Sequence, residues 1–225
     1  MHIPSVFPDK VTLFGSFQLS QTLITAWIVT FLLIIVAIII RFVVLRNFKQ
    51  VPRGVQNLLE LAVDSVNSFS RSILGEWGQS IAPYIMTLFV FIIFTGFVEY
   101  FGIRSPCTDL NCTIGMAVIS FLLIIIYSIR VKGVKGWLKT YAEPKAFMTP
   151  INVLSAIAVP ISLACRLFGN MFSGLVVMDM LYSAMGSFAI AIPGLASIYF
   201  ILFHLGMQSY VFTMLTMSFM KEKME

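Results

Sequence analysis

The sequence MTPINVLSAIAVPISLACRLFGNMFSGLVVM, residues 148–178, carries a single formal charge, on Arg166. Arginine stays protonated inside proteins. A cation midway along an apolar helix costs at least about 2.5–3.5 kcal/mol on insertion into a membrane. Such a residue is retained where a nearby group compensates its charge, so Arg166 is predicted to be functional. Its residue type leaves one alternative open, a structural arginine that pairs with a buried carboxylate and pins two helices together.

This stretch predicts a long helix with one polar face. Thr149 and Pro150 are typical of an N-cap and a first helical position. Spacings of three and four place these residues on one face: Asn152, Ser155, Val159, Ser162, Arg166, Asn170 and Ser173. The rest of the circumference is apolar, so Arg166 should point at a partner or at water. A helix of about 43 Å exceeds a hydrocarbon core of about 30 Å, which predicts a strong tilt or a break, with Pro160 as the candidate break.

The composition of the whole chain predicts an all-α integral membrane protein with one membrane domain, residues 1–225. Of its residues, 59% are hydrophobic and 11% are charged, against about 25% charged in soluble domains. The bases that give a net charge of +5 lie in short clusters between apolar runs, which favours membrane topology and excludes nucleic acid as a partner. His2 and His204 are too few for a multi-haem cytochrome, and no metal site or cofactor is expected.

The apolar runs predict three transmembrane helices, one amphipathic surface helix and a C-terminal pair of long tilted helices. The predicted transmembrane helices are residues 19–45, 80–102 and 114–131; the amphipathic helix is 55–75; the tilted pair is 149–178 and 190–220. A short loop around Met185 and Gly186 joins the last pair. The amphipathic helix is too polar to span a membrane, so it should lie on the membrane surface or pack under other helices.

Two basic clusters indicate the orientation. They are Arg41, Arg46, Lys49 and Arg53, and then Arg130, Lys132, Lys135, Lys139 and Lys145. The positive-inside rule places both in the cytoplasm, with the N-terminus outside and the C-terminus cytoplasmic. The outer segments then carry only Lys10 and Arg104 as lysine or arginine. The compact length and the lack of a transit peptide favour a bacterial plasma membrane.

The last helix has a sparse polar face of its own, formed by Ser197, His204 and Gln208. Gln208 facing Arg166 would supply a carbonyl oxygen without neutralising the charge. Interhelical hydrogen bonding is an equally weighted alternative for Gln208 and for His204. Four small residues should allow the two long helices to approach closely: Ala164, Gly169, Gly174 and Gly206.

Two carboxylates have open assignments. Glu99 ends the second transmembrane helix, where an interfacial carboxylate that snorkels to the surface is favoured over a channel ligand. For Asp179, a helix-end or loop position and a proton site are equally weighted. Cys107 and Cys112 share one loop and could pair, but two ordinary loop residues are favoured.

The segment PISLACRLFGNMFSG, residues 160–174, resembles the signature P-x-S-L-x-x-R-L-F-G-N-M of the membrane-embedded a subunit of the F-type rotary ATP synthase. Further matches follow the order of that family: VPRGVQNLLE, SPCTDLNCT, EPKAFMTPINVL and QSYVFTMLT. The resemblance covers almost the whole chain. It implies that Arg166 is the essential arginine, Gln208 its glutamine partner and Asn170 the asparagine that follows the motif.

The resemblance implies a stator subunit that forms two half-channels against the c-subunit ring. Flow of the coupling ion, H⁺ or Na⁺, then drives ring rotation and ATP synthesis. The subunit is not catalytic itself, since the nucleotide sites are on other subunits. The implied partners are the c ring, the b-type peripheral stalk subunits, the remaining synthase subunits and the lipid bilayer.

The implied ion-translocation residues are Arg166, Gln208, Asn170, Ser162, Ser173, His204 and Asp179, and the candidate half-channel lining is Asn152, Ser155 and Glu99. The chain departs from the family at Leu175 and Ile201, where many members carry an acidic residue or a histidine, and at Ser155 and Ala156, where carboxylates are common. Asp179 and His204 lie about one turn further on and are candidate substitutes. The coupling ion therefore stays open between H⁺ and Na⁺.

Two other functions compete with this one. A stand-alone secondary ion transporter predicts inverted repeats and paired broken helices, and neither is visible in the sequence. A structural membrane scaffold would use Arg166 only as an ion-pair pin.

Overall fold

The structure is a computed structural model of the chain. It describes residues 10–13, 17–44, 46, 54–142, 147, 149–185 and 192–224. The predicted loop at Gly186 lies outside these residues, as do Lys49, Arg53 and Lys145 of the basic clusters.

Within the described residues, a short antiparallel hairpin precedes six α-helices. The hairpin consists of β1 (Lys10–Leu13) and β2 (Phe17–Ser20). The helices are α1 (Gln21–Ile39), α2 (Val55–Leu74), α3 (Gly78–Phe97), α4 (Leu110–Ala142), α5 (Thr149–Met185) and α6 (Ile192–Met224). The predicted helical membrane class is confirmed, while the hairpin and the greater lengths of α4, α5 and α6 differ from the prediction.

Five helical stretches of the described chain are long and apolar enough to cross a membrane. They are Gln21–Val43, Val55–Phe101, Leu110–Tyr141, Thr149–Ala184 and Ser197–Met224. Their outward surfaces carry many exposed large apolar side chains, such as Trp27 and Phe31 on α1 and Leu154 on α5. This is the surface expected of helices that face acyl chains.

Of the two predicted alternatives for the long helix, a strong tilt or a break at Pro160, the structure shows no break. Helix α5 runs through Pro160 for 37 residues, about 55 Å at 1.5 Å per residue. A membrane helix tolerates proline because neighbouring groups satisfy the freed carbonyl, and this length requires a strong tilt. The interruption is in α4 instead, at Gly133, whose φ of 73° and ψ of 164° are open to glycine and strained for other residues.

The amphipathic helix α2 packs closely against the start of α3. Gly75 adopts a φ of 62° in the turn between them. A Cβ placed at Gly78 would lie 2.5 Å from the Ser70 carbonyl oxygen, so only glycine permits this approach. The second half of α2 inserts Phe69 between other helices, whereas Leu58 in its first half stays exposed.

The core lies among α3, α4, α5 and α6 and has two parts. The part nearer the loop 102–109 is called the outer core after the predicted orientation, and it is built from Leu88, Ile92, Cys107, Met116, Ala117, Leu163, Ala164, Leu167, Met171, Leu205 and Phe212. The inner core is built from Leu74, Ile81, Ile85, Ile124, Met217 and Met220. Helix α5 contributes buried residues to the outer core, and in the inner core the buried residues come from α2, α3, α4 and α6.

The loop after α3 is linked to the start of α1 by hydrogen bonds. It contains a 3₁₀ turn, Pro106–Thr108, that is fully buried. The next residue, Asp109, accepts hydrogen bonds from Thr22 Oγ1 at 2.6 Å and from Ser20 Oγ at 3.3 Å. A carboxylate with several donors fixes these segments together, because buried polar groups need partners.

Cys107 and Cys112 do not form a disulfide, and Cys165 is also free. Cys107 is buried in the 3₁₀ turn, with its Sγ 3.4 Å from Thr95 Oγ1. Burial raises the pKa of the Cys107 thiol to about 12. The prediction that both are loop residues is wrong for Cys112, which lies in the first turn of α4.

Candidate functional site

Arg166 lies on the exposed face of α5. Within the described part of the chain, its guanidinium makes no hydrogen bond and no salt bridge. Ser162 and Ser173, on the same face, are exposed as well. The alternative that Arg166 is pinned to a carboxylate of its own chain therefore finds no support among the described residues.

Gln208 is buried between α5 and α6, but its partner is not Arg166. Its Oε1 accepts a hydrogen bond from Asn170 Nδ2 at 2.5 Å. The Gln208 Nε2 atom is buried and has no partner among the described residues. The expected Gln208–Arg166 contact is replaced by an amide pair because Arg166 turns outward one helical turn before Asn170.

The expected close approach of α5 and α6 through glycines is also wrong. Cβ atoms built at Gly169, Gly174 and Gly206 would meet nothing within 4 Å. The tight glycine contact is between α3 and α6, where a Cβ at Gly96 would lie 1.6 Å from Leu205 Cδ2. Of the four small residues, Ala164 is the one buried in the core.

A cavity of about 530 Å³ lies between the end of α3, the outer half of α5 and the outer half of α6. It brings together three of the predicted site residues, Glu99, Asp179 and His204. Leu175 lines the same cavity. Asp179 and His204, the two candidate substitutes, thus line one cavity although they are distant in sequence.

The cavity wall is polar on several sides. His204 and Ser197 are half-buried on α6, and Asp179 is exposed on α5. Arg104 reaches the cavity from the loop, where its Nε donates to Thr108 Oγ1 at 3.3 Å. The Glu99 Oε1 atom is buried and has no hydrogen-bond partner among the described residues. Glu99 therefore does not simply extend into solvent, as the snorkelling interpretation requires.

The remaining predicted residues lie elsewhere. Asn152 donates from Nδ2 to the Tyr141 carbonyl oxygen at 3.0 Å, near the opposite end of α5. Ser155 is exposed on α5. The Ser173 hydroxyl donates to the Asn170 carbonyl oxygen of its own helix at 3.0 Å. None of these three lines the cavity.

Sequence reasoning missed Tyr100 and Tyr182, which both line the cavity. Tyr182 lies three residues after Asp179 on α5, so helical spacing was a signal that could have found it. Tyr100 follows Glu99 within the turn Val98–Phe101, where spacing carries no such information.

The described residues hold no cluster of three or more His, Cys, Asp and Glu side chains that could bind a metal ion. The fold and the site define a multi-pass helical membrane protein with a fixed positive charge near the middle of α5 and a polar cavity one to two turns away. This combination is typical of proteins that move ions across membranes.

Comparisons with known proteins agree. The profile of the family ATP synthase A chain matches residues 23–221. ATP synthase subunit a, sodium ion specific, of Propionigenium modestum is 34% identical over 221 residues, 91% of this chain and 74% of the relative. ATP synthase subunit a of Moorella thermoacetica is 30% identical over 218 residues, 95% of each chain. ATP synthase subunit a of Syntrophobacter fumaroxidans is 29% identical over 219 residues, 95% of this chain and 88% of the relative.

The chain belongs to the ATP synthase A chain family. It is an ion-translocating membrane subunit of the rotary ATP synthase, and its partners include other subunits of that complex. It is a multi-pass bacterial membrane protein. The stand-alone transporter and the structural scaffold are set aside by this assignment.

Proposed function

We propose that Arg166 faces the c-subunit ring and separates two half-channels. The observation that carries this proposal is the exposed guanidinium on an apolar helix, with no partner among the described residues. A fixed cation is too costly to leave against acyl chains. The compensating charge must then come from outside this chain, and a ring carboxylate that passes Arg166 would supply it.

Electrostatics then gives the mechanism. A nearby guanidinium stabilises the ionised form of a carboxyl group. Each ring carboxyl therefore releases its ion on reaching Arg166. The permanent charge also repels the released cation and blocks a direct path between the two half-channels. Each ion that crosses 100 mV supplies about 2.3 kcal/mol, which drives the ring in one direction.

The cavity beside α5 and α6 is the proposed outer half-channel. Its inner end is formed by Met171 and Leu205. The Asn170–Gln208 pair lies next to this end, and Arg166 follows about one turn further along α5. Ions that enter at Asp179 and His204 would approach Arg166 along this line of polar groups.

The placement of bases supports an orientation with the cavity outside and the C-terminus in the cytoplasm. Lys132 and Lys139 lie in the second half of α4, beyond or near the Gly133 kink. Lys223, at the end of α6, has its Nζ 5.5 Å from the Tyr141 ring centroid. These bases therefore gather at the end of the molecule opposite Arg104, as the positive-inside rule requires in a bacterial plasma membrane.

In this proposal the chain is not catalytic by itself. ATP is made on other subunits, and b-type peripheral stalk subunits hold this chain against the turning ring. Both H⁺ and Na⁺ remain candidates for the coupling ion at this level, because the name of one relative specifies sodium.

The test is Arg166→Gln in the complete synthase complex, reconstituted into lipid vesicles. ATP-driven ion pumping should be lost while the complex still assembles with its c ring. Arg41→Ala, at another exposed arginine at the end of α1, is the control and should pump normally. An assembled Arg166→Gln complex with full coupling would refute the proposal.

A further inference from the structure

Glu99 is a half-buried carboxyl in the turn Val98–Phe101 that follows α3. Its Oε1 atom has no hydrogen bond, although the side chain lines a cavity of about 530 Å³. A buried carboxylate oxygen without a donor is costly in its ionised form. The side chain is therefore stable either with a proton or with a cation taken from the cavity.

We propose that Glu99 is the proton-accepting carboxyl of the outer cavity. This inference rests on the proposed outer half-channel and gives that half-channel a specific ion and a specific acceptor. A hydronium ion in the cavity gives one proton to the Glu99 carboxylate, which leaves a water molecule and a neutral carboxylic acid. The reverse transfer returns the proton to water or to a neighbouring base.

The groups that face Glu99 from the other walls suit proton transfer. Helix α5 contributes Asp179 and Tyr182, α6 contributes His204, and the loop contributes Arg104. Histidine exchanges protons in the physiological pH range. His204 is one turn from Gln208 on α6, so a proton that leaves Glu99 has an acceptor on the side toward Arg166.

The same groups do not suit a bound sodium ion. Hard cations bind through several oxygen ligands at once. The described residues hold no carboxylate, histidine and cysteine cluster that could bind a metal ion. The wall carries two carboxyls, one imidazole, two phenols, one hydroxyl and the Arg104 guanidinium around open space, an arrangement that suits the relay of protons.

The experiment compares ATP synthesis driven by an imposed pH gradient in vesicles that contain the complete complex. In Glu99→Gln, the rate should fall at least about tenfold, because an amide does not accept the proton. Assembly and thermal stability should not fall, since the amide removes a buried charge without changing side-chain size. Glu76→Gln, an exposed carboxylate on the turn between α2 and α3, is the matched control and should synthesise ATP at the parent rate.

Two rescue variants separate a proton acceptor from a structural residue. Glu99→Asp should recover part of the rate, with a shifted dependence on the pH of the outer compartment. Leu175 lines the same cavity, so the double variant Glu99→Gln with Leu175→Glu should recover synthesis by returning a carboxyl to it. Failure of both rescues in assembled complexes would make Glu99 a structural residue and overturn the inference.

The outcomes also distinguish this inference from the function on which it rests. Normal synthesis by Glu99→Gln at every pH, together with an inactive Arg166→Gln, would overturn the role of Glu99 alone. A fully coupled Arg166→Gln would overturn the proposed function. A parent complex that requires a Na⁺ gradient for synthesis would overturn the assignment of the proton.

Discussion

The outer and inner parts of the core differ in the helices that build them, since α5 contributes buried residues to the outer part, whereas those of the inner part come from α2, α3, α4 and α6. In the outer half, α5 and α6 diverge around a cavity lined by Asp179 and His204. In the inner half, Ile81, Ile124 and Met217 close the space among α3, α4 and α6. An opening on one side only is what a half-channel needs, because a continuous path would let ions leak without turning a rotor.

The difference between the two halves follows from side-chain chemistry. Burying an apolar side chain of this size stabilises by about 1.5–3 kcal/mol, so the inner half gains from every contact that closes it. Carboxylates and imidazoles lose hydration when packed together, so the outer half is more stable with space left open. On α6, His204 accordingly lines the outer cavity, whereas Met217 is buried in the inner core.

The largest expected effect concerns the closed inner half. Met217 is 0% exposed and Met214, on the same helix, is 41% exposed. Met217→Ala should lower the free energy of unfolding by about 2–5 kcal/mol, because it leaves a void in a packed core. Thermal unfolding of the purified complex in detergent measures the loss, with Met214→Ala as the control.

If Met217→Ala lowered the free energy of unfolding no more than Met214→Ala does, the inner half would not be closely packed. The contrast with the outer half would then be lost. The same preparation can be assayed for passive ion leak. We expect none at temperatures where the complex stays folded, since α2, α3 and α4 still cover the site.

A smaller effect is expected beside the outer cavity, where the end of α3 meets α6. Gly96 on α3 leaves no room for a methyl group beside Leu205, which is itself buried. Gly96→Ala should destabilise the complex by about 1–3 kcal/mol through overpacking. Gly115→Ala is the control because its Cβ would meet nothing within 4 Å.

Adding Leu205→Ala to Gly96→Ala should restore part of the lost stability by making room for the new methyl group. A double variant that is as unstable as the sum of both single variants would contradict the predicted contact. The yield of assembled complex and its melting temperature report both results.

The smallest expected effect concerns the loop that covers the outer end. With a pKa of about 12, only about one Cys107 thiol in ten thousand is ionised at pH 8, and the thiolate is the reactive form. Because the pKa is raised, the thiol stays neutral until the pH approaches 12. A membrane-permeant maleimide should leave Cys107 unlabelled in the folded complex at pH 8, as measured by mass spectrometry.

Rapid labelling of Cys107 in the folded complex at pH 8 would show that the outer loop opens. Cys107→Ser should leave ATP synthesis unchanged, because the thiol hydrogen-bonds with Thr95 Oγ1 and does not line the cavity.

Sequence patterns predicted the parts of this molecule that depend on local composition. Runs of apolar residues indicate membrane helices wherever they occur, and the single charge in residues 148–178 singles out Arg166. Sequence patterns did not predict which helices contact each other. The close glycine contact was expected between α5 and α6 but lies between α3 and α6, at Gly96, because spacing along one helix does not say which neighbour it touches.

Glu99 shows the same limit at the candidate site. Its position at the end of an apolar run favours a surface carboxylate over a channel ligand. Only the packing of α5 and α6 beside it buries Oε1.

By itself, the sequence determined that this is a helical membrane protein of the ATP synthase A chain family and that Arg166 is its central charge. The hydropathy of a segment and the free-energy cost of burying a cation depend on residues close together in the sequence, so both can be predicted from the sequence alone. The tertiary structure alone decided that Asn170, and not Arg166, is the partner of Gln208, and that Glu99, Asp179 and His204 share one cavity. Those relations join residues up to 105 positions apart along the numbering, and only the packing of helices in three dimensions brings them together.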